Sequence, residues 1–173
     1  GSATAAGNTL PFQAITSLRG RLGDRVWFDA NQNGIQDEDE IGLSGILVKL
    51  NGPGGLYQEK TTDGNGKYVF SNLLPGNYTV QFVAPVHPVE GCYWLFTWQH
   101  QGGDPALDSN ANADGLAQPS PIALGPGEVN LTIDAGLRVW CTNPSNVELT
   151  EFTVTREGDL FRFKWSTATE FDT

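Results

Sequence analysis

The sequence predicts an all-β protein built as an antiparallel sandwich, and three observations predict it. Short runs rich in β-branched and aromatic residues recur along the chain. Turn signals separate them at intervals of roughly 10 residues. Apolar residues nowhere recur at helical spacing over three turns. The composition agrees: 21 Gly and 10 Pro in 173 residues, with 39% hydrophobic and only 17% charged side chains, suit short strands and many turns.

Residues Gly1–Leu18 are small, polar and aperiodic apart from Leu10-Pro11-Phe12, and predict an extended arm. Gly1-Ser2 resembles a cloning scar, and no leader pattern opens the chain. A sandwich is expected over residues 19–140. Its strand-like runs are Arg25–Phe28, Ile46–Leu50, Lys67–Phe70, Tyr78–Val83 and Leu131–Ala135. Between them stand the turn signals Asn51–Gly55, Asp63–Gly66, Leu74–Asn77, Gly102–Pro105 and Gly125–Gly127. The stretch from Cys92 to Gln101 reads as a strand whose alternation puts Cys92, Trp94, Phe96 and Trp98 on a core face and Tyr93, Leu95, Thr97 and Gln99 on the other. Residues 141–173 predict a linker, Thr142–Asn146, then a hairpin. Val147–Thr155 and Leu160–Ser166 flank the turn Arg156–Asp159, like the opening of a fibronectin-like module cut short.

The formal charge of −10, from 20 acidic and 10 basic side chains, argues against nucleic acid as a partner and against anionic membrane surfaces, and favours cations. No apolar run approaches bilayer-spanning length, so membrane insertion is not expected. Cys92 and Cys141 fit one disulfide in an oxidising, extracellular compartment; two buried free thiols fit the count equally.

The acids cluster, and the clusters carry the chemistry. Asp29-Ala30-Asn31-Gln32-Asn33-Gly34-Ile35-Gln36-Asp37-Glu38-Asp39-Glu40 satisfies the calcium-loop pattern D-x-[DN]-x-[DN]-G-x5-E at every specified position. Calcium takes six to eight oxygens, so a short loop must offer one at about every second residue. Asp29, Asn31 and Asn33 supply the first side-chain oxygens, Gly34 the sharp turn and Ile35 its carbonyl. Asp37 binds directly or through water, and Glu40 closes the shell. The all-oxygen set disfavours zinc and copper. Strands rather than helices flank the loop, which predicts a static clamp instead of a switch. A merely solvated acidic turn is the plain alternative.

A second oxygen-rich segment offers Asp104, Asp108, Asn110, Asn112 and Asp114, again at alternate positions but without a closing Glu. A third calcium near Asp63 and Asn65 is conceivable, although Asp-Gly and Asn-Gly are ordinary hairpin turns.

These residues also carry a resemblance. Gly23–Asp29 running into the acidic loop, Gly42–Ile46, Thr62–Phe70, Leu73–Tyr78, Asp108-Ser109-Asn110 and Asp134–Leu137 together look like the SdrD B-like repeat of the Cna-B group, over about residues 20–138. The resemblance implies a Greek-key, prealbumin-like sandwich that holds calcium and serves as a rigid spacer in bacterial surface adhesins. It implies ligands at Asp29, Asn31, Asn33, Asp37 and Glu40, and at Asp104, Asp108, Asn110 and Asp114. No Leu-Pro-x-Thr-Gly sorting motif is present, and the cysteine pair and trailing hairpin depart from the pattern. Relatives form Lys-to-Asn isopeptide bonds; Lys49 lies on a strand, but no Asn follows in Asp134–Leu137, so none is expected.

No catalysis is expected. His87 and His100 sit among Pro and Gln with no Ser or Cys elbow, and calcium ligands need ionised carboxylates, the opposite of a general acid. Expected partners are neighbouring β modules. A host or glycan ligand recognised through Tyr57, Tyr93, Trp94 and Trp98 is one alternative. Filament assembly by strand addition through Leu10–Leu18 or Val147–Ser166 is another.

Overall fold

Alternating burial builds the sheets of the larger unit. In Leu47–Gly52 (β2) Val48 and Leu50 are buried, and in Gly76–Val83 (β5) Tyr78, Val80 and Phe82 are buried while their neighbours are less so. Lys67–Leu73 (β4) buries Tyr68 and Phe70 in the same alternation, with Leu73 buried beyond them, while Gly20–Phe28 (β1) buries Leu22, Val26 and Trp27 without strict alternation. Period two is what a sheet with one face on a core requires. Each such aliphatic or aromatic side chain contributes about 1.5–3 kcal/mol through burial. The structure is a computed structural model that describes residues 18–142, 149–157 and 160–167. The predicted arm lies outside the described residues except for Leu18, which is exposed.

Two sheets close on this core. One has the order β4-β1-β9-β6, where β9 is Ala135–Cys141 and β6 is Cys92–Phe96; Val129–Asn130 (β8) also pairs with β1. The other has the order β3-β2-β5-β7, with Leu56–Thr61 (β3) and Ile122–Leu124 (β7). The fold is therefore the expected all-β sandwich, with β3, β7 and β8 additional strands that the sequence pattern did not reveal. β3 is the longest of them. Its residues are mostly exposed, so no apolar alternation marks it.

Pairing departs from a purely antiparallel plan at β1. That strand is antiparallel to β4, with Asp24 opposite Tyr68, but parallel to β8 and β9, with Leu22 opposite Asn130 and Val26 opposite Ala135. The predicted strand Leu131–Ala135 is the break between these two parallel segments, and the ladder resumes only at Ala135. The reason is local. The Asp134 carboxylate accepts the Arg25 backbone N–H at 2.9 Å, replacing a ladder bond, while Tyr68 donates its hydroxyl to the Ile133 carbonyl at 2.6 Å.

The aromatic strand also ends earlier than its alternation predicts. Trp94 and Phe96 pack against the core, but β6 stops at Phe96. Trp98 is 61% exposed and Thr97 is buried, the reverse of their expected faces. Once the ladder stops, the period of two no longer dictates which side a residue takes.

Neither cysteine is free; Cys92 and Cys141 are both disulfide-bonded. The chain divides into two compact units, Gly1–Trp140 and Cys141–Thr173. In the second, Leu149–Glu157 (β10) and Leu160–Thr167 (β11) form an antiparallel hairpin with Val154 opposite Phe163 and Glu157 opposite Leu160. Val147 and the turn tip Gly158-Asp159 lie outside the described residues. Among the described residues, no helix is long and apolar enough to cross a membrane.

Candidate metal centre

The acidic loop begins where β1 ends, and its first residue is anchored on both sides. Asp29 donates its backbone N–H to the Leu137 carbonyl at 2.9 Å, and its side chain is fully buried. One carboxylate oxygen accepts Asn33 N–H at 3.1 Å; the other accepts Gly34 N–H at 2.9 Å and the hydroxyl of Thr97. Gly34 takes φ +79°, and a Cβ there would lie 2.6 Å from the Trp98 carbonyl oxygen, so the sharp turn requires glycine on both counts.

The remaining predicted ligands join the same network. Asn31 Oδ1 accepts Asn33 N–H at 3.0 Å and Asn33 Oδ1 accepts Ile35 N–H at 2.7 Å, two successive turns closed by side-chain carbonyls. The Nδ2 groups of Asn31 and Asn33 reach one oxygen of Asp37 at 2.7 and 2.9 Å. Glu40, also buried, accepts Ala30 N–H at 2.8 Å with Oε1 and Asp37 N–H at 3.2 Å with Oε2, drawing the two ends of the loop together. Burial raises the Glu40 carboxyl above its ordinary range, the Asp29 charge adds to that, and the backbone N–H donors oppose it.

Asp29, Asn31, Asn33, Asp37 and Glu40 are thus joined in one hydrogen-bonded ring within the loop. The arrangement fits a hard cation. A carboxylate or amide oxygen has two lone pairs, so an oxygen that accepts one backbone N–H keeps capacity for an ion. Ile35 forms a β-bridge with Asp108, and Gln36 N–H reaches the Leu107 carbonyl at 2.7 Å. The two oxygen-rich segments of the sequence are therefore neighbours in space.

The second segment does not form a comparable ring. Asp108 and Asn110 are buried, Asp104 and Asp114 are exposed, and Asn112 lies between. Asn110 Oδ1 accepts Asp134 N–H at 2.7 Å, and Asn112 Oδ1 accepts Asp114 and Leu116 N–H at 3.0 and 2.9 Å. Asp104 caps its own turn through Ala106 N–H. Asp108 is the distinctive member: its Oδ2 lies 3.7 Å from His100 Nδ1, and its Oδ1 is buried with no hydrogen-bond partner. Burial raises its carboxyl, against the pull of His100. At Asp63, one oxygen accepts the N–H groups of Asn65 and Lys67 at 2.8 and 2.9 Å, the ordinary hairpin use of an Asp-Gly turn, and these bonds lower its pKa. Among the described residues, no three His, Cys, Asp or Glu side chains gather as a metal-binding group; the ring depends on its two Asn.

Three structural residues escaped the sequence reading. Thr97 ties β6 to the loop through Asp29, and its backbone N–H reaches the Gly136 carbonyl at 3.0 Å. Ser109, fully buried, accepts Gly136 N–H with Oγ at 3.2 Å. Asp134 is buried with one oxygen unpartnered, and burial pushes its pKa up to about 9, with the Arg25 N–H bond opposing. The available signal was a polar residue inside an aromatic run for Thr97, and an acid inside an apolar run for Asp134.

A family model described as "SdrD B-like domain" matches residues 20–137. The chain is similar to serine-aspartate repeat-containing protein D of Staphylococcus aureus (strain Newman), with 43% identity over 116 residues, 66% of this chain and 8% of that protein. It is also similar to serine-aspartate repeat-containing protein F of Staphylococcus epidermidis (strain ATCC 12228 / FDA PCI 1200), with 34% identity over 141 residues, 79% of this chain and 8% of that protein. The chain thus spans only a small part of the length of these relatives.

Proposed function

The chain belongs to the SdrD B-like domain family over residues 20–137, and from that premise we propose that it is a non-catalytic structural module, a rigid spacer of a bacterial cell-surface or secreted protein, braced by calcium in the loop Asp29–Glu40. The observation that carries the reading is the single hydrogen-bonded ring of Asp29, Asn31, Asn33, Asp37 and Glu40. An ion in that ring would act on strand ends. Asp29 is bonded to β9 through Leu137 and, by way of Thr97, to the end of β6, so ordering the loop fixes three strands of one sheet at once.

The same loop holds Asp37, Glu38, Asp39 and Glu40 in succession. Without a counter-ion these charges repel one another and favour an open loop; a divalent cation reverses that balance. Asp108, with its orphaned buried oxygen beside Ile35, is the anchor for a second ion. The Asp63 turn serves as a hairpin, its Oδ1 accepting the Asn65 and Lys67 N–H groups as Asp-Gly turns ordinarily do.

Thermal melting in about 5 mM calcium and in chelator tests the reading. With a dissociation constant on the order of 0.5 mM, typical of extracellular modules, bound calcium adds about 1.4 kcal/mol. For a unit of this size that raises the melting temperature by roughly 4–8 °C. Magnesium at the same concentration should give much less. Identical melting curves in calcium and chelator would remove the ion from the account and leave the structural module standing on family membership alone.

A further inference from the structure

At the end of β6 an open groove of about 320 Å³ lies between the aromatic strand and the second oxygen-rich loop, a volume at the small end of ligand sites. Leu95, Thr97, Trp98, Gln99, Asn112 and Arg138 line it. None of these residues takes part in the proposed calcium ring except Thr97, through its hydroxyl.

Two features of this groove lack a structural explanation. Trp98 is 61% exposed, so much of its indole is presented to solvent. Arg138 holds its guanidinium over that indole, 5.6 Å from the ring centroid. Gln32, itself in the left-handed region at φ 62°, accepts Arg138 Nη1–H at 3.2 Å and fixes the guanidinium in place. Among the described residues no carboxylate pairs with Arg138, in a chain of net charge −10. Its Nε is buried without a hydrogen-bond partner. An oriented, unpaired guanidinium stacked on an aromatic ring is preorganised for a planar anion.

We propose that this groove binds a saccharide residue bearing a single carboxylate, with the Trp98 indole against the sugar's C–H face and the Arg138 guanidinium on its carboxylate. Asn112 commits its Oδ1 to the Asp114 and Leu116 N–H groups, which leaves its Nδ2 to donate to a ring hydroxyl. Net charge selects within the class: one guanidinium in an acidic protein suits one carboxylate and opposes sulfated or other polyanionic polymers. The surface continues beyond the groove. Tyr93 and Trp140, each about half exposed, place their rings 6.2 Å apart and tilted 33° on the adjacent strands β6 and β9, a second aromatic contact for the next sugar of a chain.

The test uses the full chain and the methyl glycoside of a sialic acid, titrated by NMR with amide shifts as the readout. Controls are the carboxyl-reduced glycoside and an acetylated glutamate tripeptide. Saturable binding is expected, with the carboxyl-reduced probe at least about tenfold weaker and the tripeptide weaker still. Trp98→Ala should weaken binding about tenfold with an unchanged melting temperature, because the side chain is exposed. Arg138→Lys, which keeps the charge but loses the planar fork, should weaken binding of the acidic probe and leave that of the reduced probe alone. No saturation by about 10 mM, equal binding of the two glycosides, or tighter binding of the tripeptide would each overturn the proposal.

Discussion

Replacing Asp29 with alanine removes the acceptor on which three donors converge, and the structure allows the loss to be worked donor by donor. Asn33 N–H also reaches Asn31 Oδ1 at 3.0 Å, so it keeps a partner and contributes little. Gly34 N–H is buried and has no second acceptor in the network, and the Thr97 hydroxyl is 5% exposed. Each of these two would be left unsatisfied at a cost of about 1–3 kcal/mol. The total is therefore about 2–6 kcal/mol, before any calcium is counted. Urea unfolding followed by tryptophan fluorescence, in chelator, measures this number. Asp29→Asn retains one carbonyl oxygen for Gly34 and should lose less than Asp29→Ala. Adding calcium should then stabilise the wild-type chain and neither variant. A loss below about 1 kcal/mol for Asp29→Ala in chelator would refute the view that the carboxylate organises the loop before an ion arrives.

The other expectations concern the surroundings of that carboxylate. Thr97→Val keeps the shape but removes the hydroxyl donor to Asp29, and should destabilise the chain by about 1.5–3 kcal/mol, the range for hydrogen bonds to charged groups; urea unfolding checks it. Gly136→Ala places a Cβ 2.5 Å from Thr97 Cγ2 and 2.8 Å from Trp27 Cζ2, so a melting experiment should show an overpacking loss of about 1–3 kcal/mol. Tyr68 supplies a pH dependence: burial, then the charges of Asp134 and Asp24, raise its phenol well above the ordinary value of 10.0. The folded state therefore holds that proton where the unfolded chain releases it, and stability should be intact below about pH 10 and fall as pH rises beyond it. Tyr68→Phe should flatten this alkaline decline in pH-dependent urea unfolding, while losing about 1 kcal/mol at neutral pH with the bond to the Ile133 carbonyl.

What was legible in the sequence was whatever depends on short-range pattern. Alternation in Val48–Leu50, Tyr68–Phe70 and Tyr78–Phe82 marks strands because period two is a property of the backbone itself. The spacing of Asp29, Asn31, Asn33, Gly34, Asp37 and Glu40 is equally local, and the hydrogen-bonded turns form among those same residues. The order of motifs along residues 20–137 sufficed to identify the family.

Only the tertiary structure decided what depends on residues distant in sequence. Leu131–Asp134 has the composition of a strand, yet the Asp134 side chain takes the Arg25 N–H and interrupts the ladder, 109 positions from its partner. Thr97 and Trp98 exchange their expected faces because Asp29, 68 positions away, draws the Thr97 hydroxyl inward just where the ladder of β6 ends. Asn110 and Asn112 share the alternate spacing of the first loop, but Asn110 bonds distant Asp134, whereas Asn31 and Asn33 both turn their Nδ2 groups onto Asp37 in their own loop, so equal spacing led to unequal architecture. Periodicity fixes a side chain's direction only while its backbone stays in register; beyond the end of a strand, the burial of a distant donor or acceptor determines where it points.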